Sequence, residues 1–194
     1  RAARYPVTID PFIEQAKLSA SDGAANDQFG FSVAISGDTV VVGARLGDGA
    51  NTDQGSAYVF VKPAGGWASR PSMTHTAKLT ASDGDAFDAF GYSVAISADT
   101  VVVGAPFDDI AATNEGSAYV FVKPAGGWVS MNQTAKLAAS DGAAGDQFGY
   151  SVAISGDTVV VGAPVDDIGG KTDRGSAYVF VKPGAGWGGI RQLR

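Results

Sequence analysis

Fifteen of the chain's twenty acidic residues fall into two kinds of recurring segment. In one, a pair of aspartates frames four residues just ahead of a Phe-Gly step: Asp22 and Asp27, Asp83 and Asp88, Asp141 and Asp146. In the other, two aspartates stand side by side, as Asp108-Asp109 and Asp166-Asp167. Carboxylates gathered from neighbouring loops are the oxygen donors that calcium takes, six to eight at a time. These ten aspartates are therefore the candidate metal ligands, with Ca2+ as the candidate cofactor. The plainer account of the same residues is that Asp closes turns and keeps loops soluble, and the D-x4-D-x-F-G spacing is not itself a metal signature.

Two other residue types could do chemistry. Trp67, Trp128 and Trp187 recur at one position, each after a glycine, and offer indole faces on which a glycan could stack; the alternative is that each ring covers its own hairpin or the adjacent sheet. His75 is the only histidine. An active site would require it to meet residues such as Arg45 and Arg70 in one pocket. The acids, by contrast, sit at repeated positions, which suits architecture better than one asymmetric site. The chain reads as non-enzymatic.

Composition narrows the partners. Hydrophobic residues make up 45% and charged residues 18%, a globular balance. The net charge of −6 argues against nucleic acid, which calls for surplus Lys and Arg. No apolar run approaches the roughly 20 residues of a membrane helix, so membrane insertion is not expected. Cysteine is absent, which removes disulfides, thiolate metal sites and cysteine nucleophiles. The first residue is Arg1 and not Met, which reads as a processed or excised product.

The elements that must position these residues come from an internal repeat. GSAYVFVKP stands at Gly55, Gly116 and Gly175, AKL at Ala16, Ala77 and Ala135, and SDG at Ser21, Ser82 and Ser140. The units run over about 15–67, 76–128 and 134–187 of a single domain spanning 1–194. Each holds four strand-like runs: FSVAIS (a), TVVVGA (b), SAYVFVK (c) and TAKLTAS (d), as they stand in the first unit and at the start of the second. Helical periodicity with capping signals is missing. Runs b and c are apolar on both faces, so their sheets must be covered on both sides, and identical sheets do this by stacking around an axis.

Run a joins run b through SGDT, which suits a two-residue hairpin. In the second unit Ala98 replaces the glycine, so the turn is not expected to demand a positive φ. Alternation along the runs places the d–a and b–c loops, with their acids, at one end of the sheets. Lys62, Lys123 and Lys182 share the other end with the tryptophans.

Phe29-Gly30, Phe90-Gly91 and Phe148-Gly149, followed by GAR or GAP at Gly43, Gly104 and Gly162, resemble FG-GAP repeats, the blades of the integrin α-subunit propeller and of many microbial surface proteins. The resemblance covers nearly the whole chain. It implies an all-β propeller of four-stranded antiparallel blades, three per chain, in an extracellular or cell-surface setting, with binding or adhesion as its role. Glycans or surface proteins would then be partners. Family members often carry a DxDxDG calcium loop between the FG and GAP strands. Here that place holds only SGDT, SADT or SGDT, and one carboxylate cannot supply calcium's shell. Asp38, Asp99 and Asp157 are read as turn formers.

Three blades are too few, since propellers close with four to eight. If each open face shows ~400 Å2 of apolar surface, leaving it wet forgoes ~10 kcal/mol at ~25 cal/mol/Å2. Two arrangements answer this: a piece of a longer propeller, to which the ending WGGIRQLR would belong, or copies that complete each other, as in a six-bladed ring of two. Residues 11–21 supply a strand d with no a, b or c before it. Between chains this strand would pair with the open edge of Ser176–Lys182, a β-augmentation that makes a homo-oligomer. Stacking of the acidic end on the basic end would also permit a filament.

Overall fold

The computed structural model describes residues 13–189. Among these residues there are fourteen strands and two short 3-10 turns, Trp67–Ser69 and Trp187–Gly189. No helix among the described residues is long and apolar enough to cross a membrane.

The first unit gives β2 (Phe29–Ser36), β3 (Thr39–Ala44), β4 (Ser56–Val61) and β6 (Ala77–Thr80), ordered β6-β4-β3-β2 and antiparallel throughout. The second gives β7 (Ser93–Ser97), β8 (Thr100–Ala105), β9 (Ser117–Val122) and β11 (Ala135–Leu137) in the same arrangement. Among the described residues the third has β12 (Ser151–Ser155), β13 (Thr158–Ala163) and β14 (Ser176–Val181) and no strand d. Valine-rich b and c strands pair in one register each time, for instance Val41 with Val59 and Val102 with Val120. β-branched side chains favour this pleated, two-sided burial.

The sheets are not uniformly four-stranded. Between strands c and d the chain makes an additional short strand that runs back to the preceding sheet. β10 (Met131–Asn132) pairs in parallel with β6, raising the first sheet to five strands. β5 (Ser72–Thr74) does the same to β1 (Lys17–Ser19), and those two form a separate two-stranded sheet. β1 is the expected N-terminal strand d; residues 11 and 12 of that expectation, and the last residues of WGGIRQLR, lie outside the described residues.

The three large sheets stack face to face. One core lies between the first and second sheets, where Val41, Val59 and Leu79 meet Phe90, Val101 and Phe121. A second repeats it between the second and third sheets, with Val102, Val120 and Leu137 against Phe148, Val159 and Phe180. The recurring glycines of the Phe-Gly and Gly-Ala steps set the spacing. A Cβ on Gly43 would overlap the carbonyl oxygen of Gly91, and one on Gly104 the carbonyl of Gly149, so only glycine lets the sheets approach this closely. Ser32 and Ser93 donate their hydroxyls to those same carbonyls at 2.8 Å.

The a–b hairpins have the expected two-residue turns, with Ser36 opposite Thr39 and Ser97 opposite Thr100. Ala98 corrects the expectation for its turn. Its φ is 49°, as positive as the 55° of Gly37 and Gly156, because the hairpin geometry dictates the backbone and the residue type does not. Asp38, Asp99 and Asp157 in these turns pair with Lys62, Lys123 and Lys182.

Candidate functional site

A tyrosine from strand c, a lysine from strand d and aspartates from the loops form a corner at the acidic end of each complete sheet. Cross-strand pairing places Tyr58 opposite Lys78, and Tyr119 opposite Lys136. Lys136 Nζ sits 2.7 Å from Asp83 Oδ2 and 2.8 Å from Asp108 Oδ2. It also lies 5.2 Å from the centre of the Tyr119 ring, a cation–π contact. Tyr119 donates its hydroxyl to Asp108 at 3.2 Å. Burial opposes the charge on Lys136, but its hydrogen bonds to Asp108 and Asp83 prevail and hold its pKa above the ordinary lysine value.

The first corner is a reduced version. Lys78 Nζ bonds Asp22 Oδ2 at 2.7 Å and lies 5.4 Å from the Tyr58 ring. The position of Asp108 is taken by Gly47, and the hydroxyl of Ser56, whose counterpart Ser117 bonds Asp108, has no partner.

The third corner has both carboxylates and no lysine. Tyr178 Oη lies 3.0 Å from Asp141 Oδ1 and 3.0 Å from Asp166 Oδ2. A phenol has one proton to give, so it can satisfy only one of these two oxygens at a time. Burial first, and the two carboxylates next, push the Tyr178 pKa upward. The lysine is missing because the third sheet has no strand d of its own among the described residues.

The remaining predicted ligands are committed to their own loops. Asp27, Asp88 and Asp146 accept the backbone N–H three residues earlier, from Ala24, Asp85 and Ala143, at 2.6–2.7 Å. Asp109 and Asp167 accept N–H bonds from Asn114 and Asp173. Among the described residues no group of three or more His, Cys, Asp or Glu is arranged to hold a metal ion. Sequence reasoning missed the lysines that meet these acids; the signal was the AKL triplet, whose Lys recurs as Lys17, Lys78 and Lys136.

Trp128 and Trp187 are buried in the two inter-sheet cores, which leaves them no free face for a sugar. Trp67 is half-buried and borders a cavity of about 300 Å3 with Leu18, Ile35 and Val40. His75 packs against Tyr58 in a tilted arrangement, with ring centres 4.8 Å apart. Arg45 instead covers Phe31, and Arg70 ends the first 3-10 turn.

Among the described residues the outward face of the third sheet is open, and that of the first is open along its strand a, whereas Leu18 of β1, Met73 of β5 and Trp67 cover Val42, Tyr58 and Phe60. On the third sheet Val179 and Val181 are 64% and 65% exposed, whereas Val59 and Val120, at the place of Val179, are fully buried. On the first sheet Val33 and Ile35 are 67% and 66% exposed, against 9% for their counterparts Val94 and Ile96. Beside Gly162, Tyr150 and Pro164 lies a cavity of about 510 Å3, at the place where the neighbouring sheet's Phe-Gly step packs against Gly43 and Gly104.

The FG-GAP repeat model matches residues 12–60, 73–121 and 131–180. Among solved structures, that of the computationally designed Ika4 protein is similar over 87% of this chain and 99% of its own, at 16% identity and a TM-score of 0.47. No curated protein matches.

Proposed function

We propose, for a chain that belongs to the FG-GAP repeat family, that it is a non-enzymatic structural or adhesive propeller module of an extracellular or cell-surface setting, and that it acts by self-association. Family membership supports the β-propeller-like arrangement. The observation that carries self-association is the pair of unlike apolar faces at the ends of the stack. The outward face of the third sheet and the outward face of the first are the same two surfaces that meet twice within the chain. Each is therefore already complementary to the other, and a second copy supplies both. Burial of such faces is the main driving force of association. The contact is heterologous, so it closes into a ring or grows as a filament according to the rotation per sheet.

Native mass measurement of the chain at micromolar concentration tests this. Two or more chains per particle are expected. A single-chain mass with one cooperative unfolding transition would refute it.

A further inference from the structure

We infer that the third sheet is completed by β1 of a second copy, with Lys17 of that copy seated between Asp141 and Asp166 over Tyr178. The inference rests on the self-association proposed above and specifies its register and its polar contact. Among the described residues, β1 has one edge bonded to β5 and the other unpaired, and β14 has one edge bonded to β13 and the other unpaired. Joining the two free edges gives the order β5-β1-β14-β13-β12. That is the order β10-β6-β4-β3-β2 already present in the first sheet.

The register follows from the two complete sheets. Ala77 faces Val59, Lys78 faces Tyr58 and Leu79 faces Ala57, and the second sheet repeats this alignment. Transferred to the open edge, Ala16 faces Val179, Lys17 faces Tyr178 and Leu18 faces Ala177. Lys17 is exposed and makes no ion pair with a carboxylate among the described residues. At the third corner two carboxylates compete for one phenolic proton, and the other two corners show what answers them: a strand-d lysine bonded to the loop aspartates. The same docking brings Gly30, whose surroundings are open, against Gly162, and places its carbonyl within reach of Ser151, as Ser32 reaches Gly91.

The absence of native cysteine makes the register directly readable. Antiparallel partners sit about 4.5–5.5 Å apart at Cα, within disulfide range. A chain with Ala16→Cys mixed with one carrying Val179→Cys should form a covalent two-chain product under mild oxidation, as should Leu18→Cys with Ala177→Cys. The crossed pair, Ala16→Cys with Ala177→Cys, should not. Lys17→Glu should weaken association about tenfold, the scale of one hydrogen-bonded charge. Mixing it with Asp141→Lys should recover much of that loss. A multi-chain mass without in-register cross-linking, or with equal cross-linking of the crossed pair, overturns the pairing while self-association stands. A multi-chain mass indifferent to Lys17→Glu overturns the lysine contact. A single-chain mass overturns both proposals.

Discussion

At the scale of single residues, Ala98 holds a conformation that an L-residue with a Cβ adopts at a cost of about 1–2 kcal/mol. The unfolded chain gains freedom when glycine is present, which returns about 0.4–1 kcal/mol of that. Ala98→Gly is therefore expected to stabilise the protein by about 0.5–1 kcal/mol, readable as a higher midpoint in urea with an unchanged slope. The turn residues also show why part of the chemistry was illegible in advance. Asp27, Asp88 and Asp146 stand in a spacing that looks free for a metal, yet each is satisfied by an N–H only three residues away. Nothing in the residue types separates a carboxylate aimed outward from one turned back on its own loop. The lysines of AKL were legible as a repeat. Their role was not, because Lys78 meets Asp22 and Lys136 meets Asp83, each more than fifty residues away.

At the scale of elements, strands a, b and c were readable because their valine runs are long, both-sided and bounded by Gly and Pro. The parallel strands β5 and β10 were not. Each is two or three residues long and is made by pairing with the sheet before it, so its own sequence carries little signal. The four-stranded unit inferred from pattern is thus the local part of a sheet whose outermost strand comes from the next repeat. Glycine at the contact between sheets gives a second prediction. Gly104→Ala places a Cβ against the carbonyl of Gly149 and should cost about 1–3 kcal/mol through overpacking. Gly162→Ala meets only the Ser151 residue, whose hydroxyl can rotate away, and should cost less in the single chain. Thermal melts of the two variants side by side check the difference.

For the molecule as a whole, the buried acids shape the response to pH. Burial, against the bond from the Asp85 N–H, raises Asp88 to about 7, and burial raises Asp146 in the same direction. A carboxyl whose folded pKa is raised stabilises the fold fully below its unfolded pKa and loses that contribution as pH climbs through the folded value. Stability should therefore fall between about pH 4 and pH 7 on account of Asp88, and Asp146 acts in the same direction. Asp22 works the other way: despite some burial, its bond to Lys78 lowers its pKa, so its contribution is lost at the acid side. Asp88→Asn keeps an oxygen for the Asp85 N–H and removes the charge. Its melting temperature should exceed the parent's at about pH 8 and approach it at about pH 4, as scanning calorimetry at both values would show.

The unfinished third sheet has a kinetic consequence. β6 and β11 reach their sheets by closing a loop within the chain, a first-order event whose rate does not depend on how much protein is present. In the proposed assembly, the strand that finishes the third sheet arrives from another molecule. The last step of folding is then second order, and it slows in proportion as the protein is diluted. A freshly made chain would pass its early life with two sheets complete and one waiting, for a time set by its concentration.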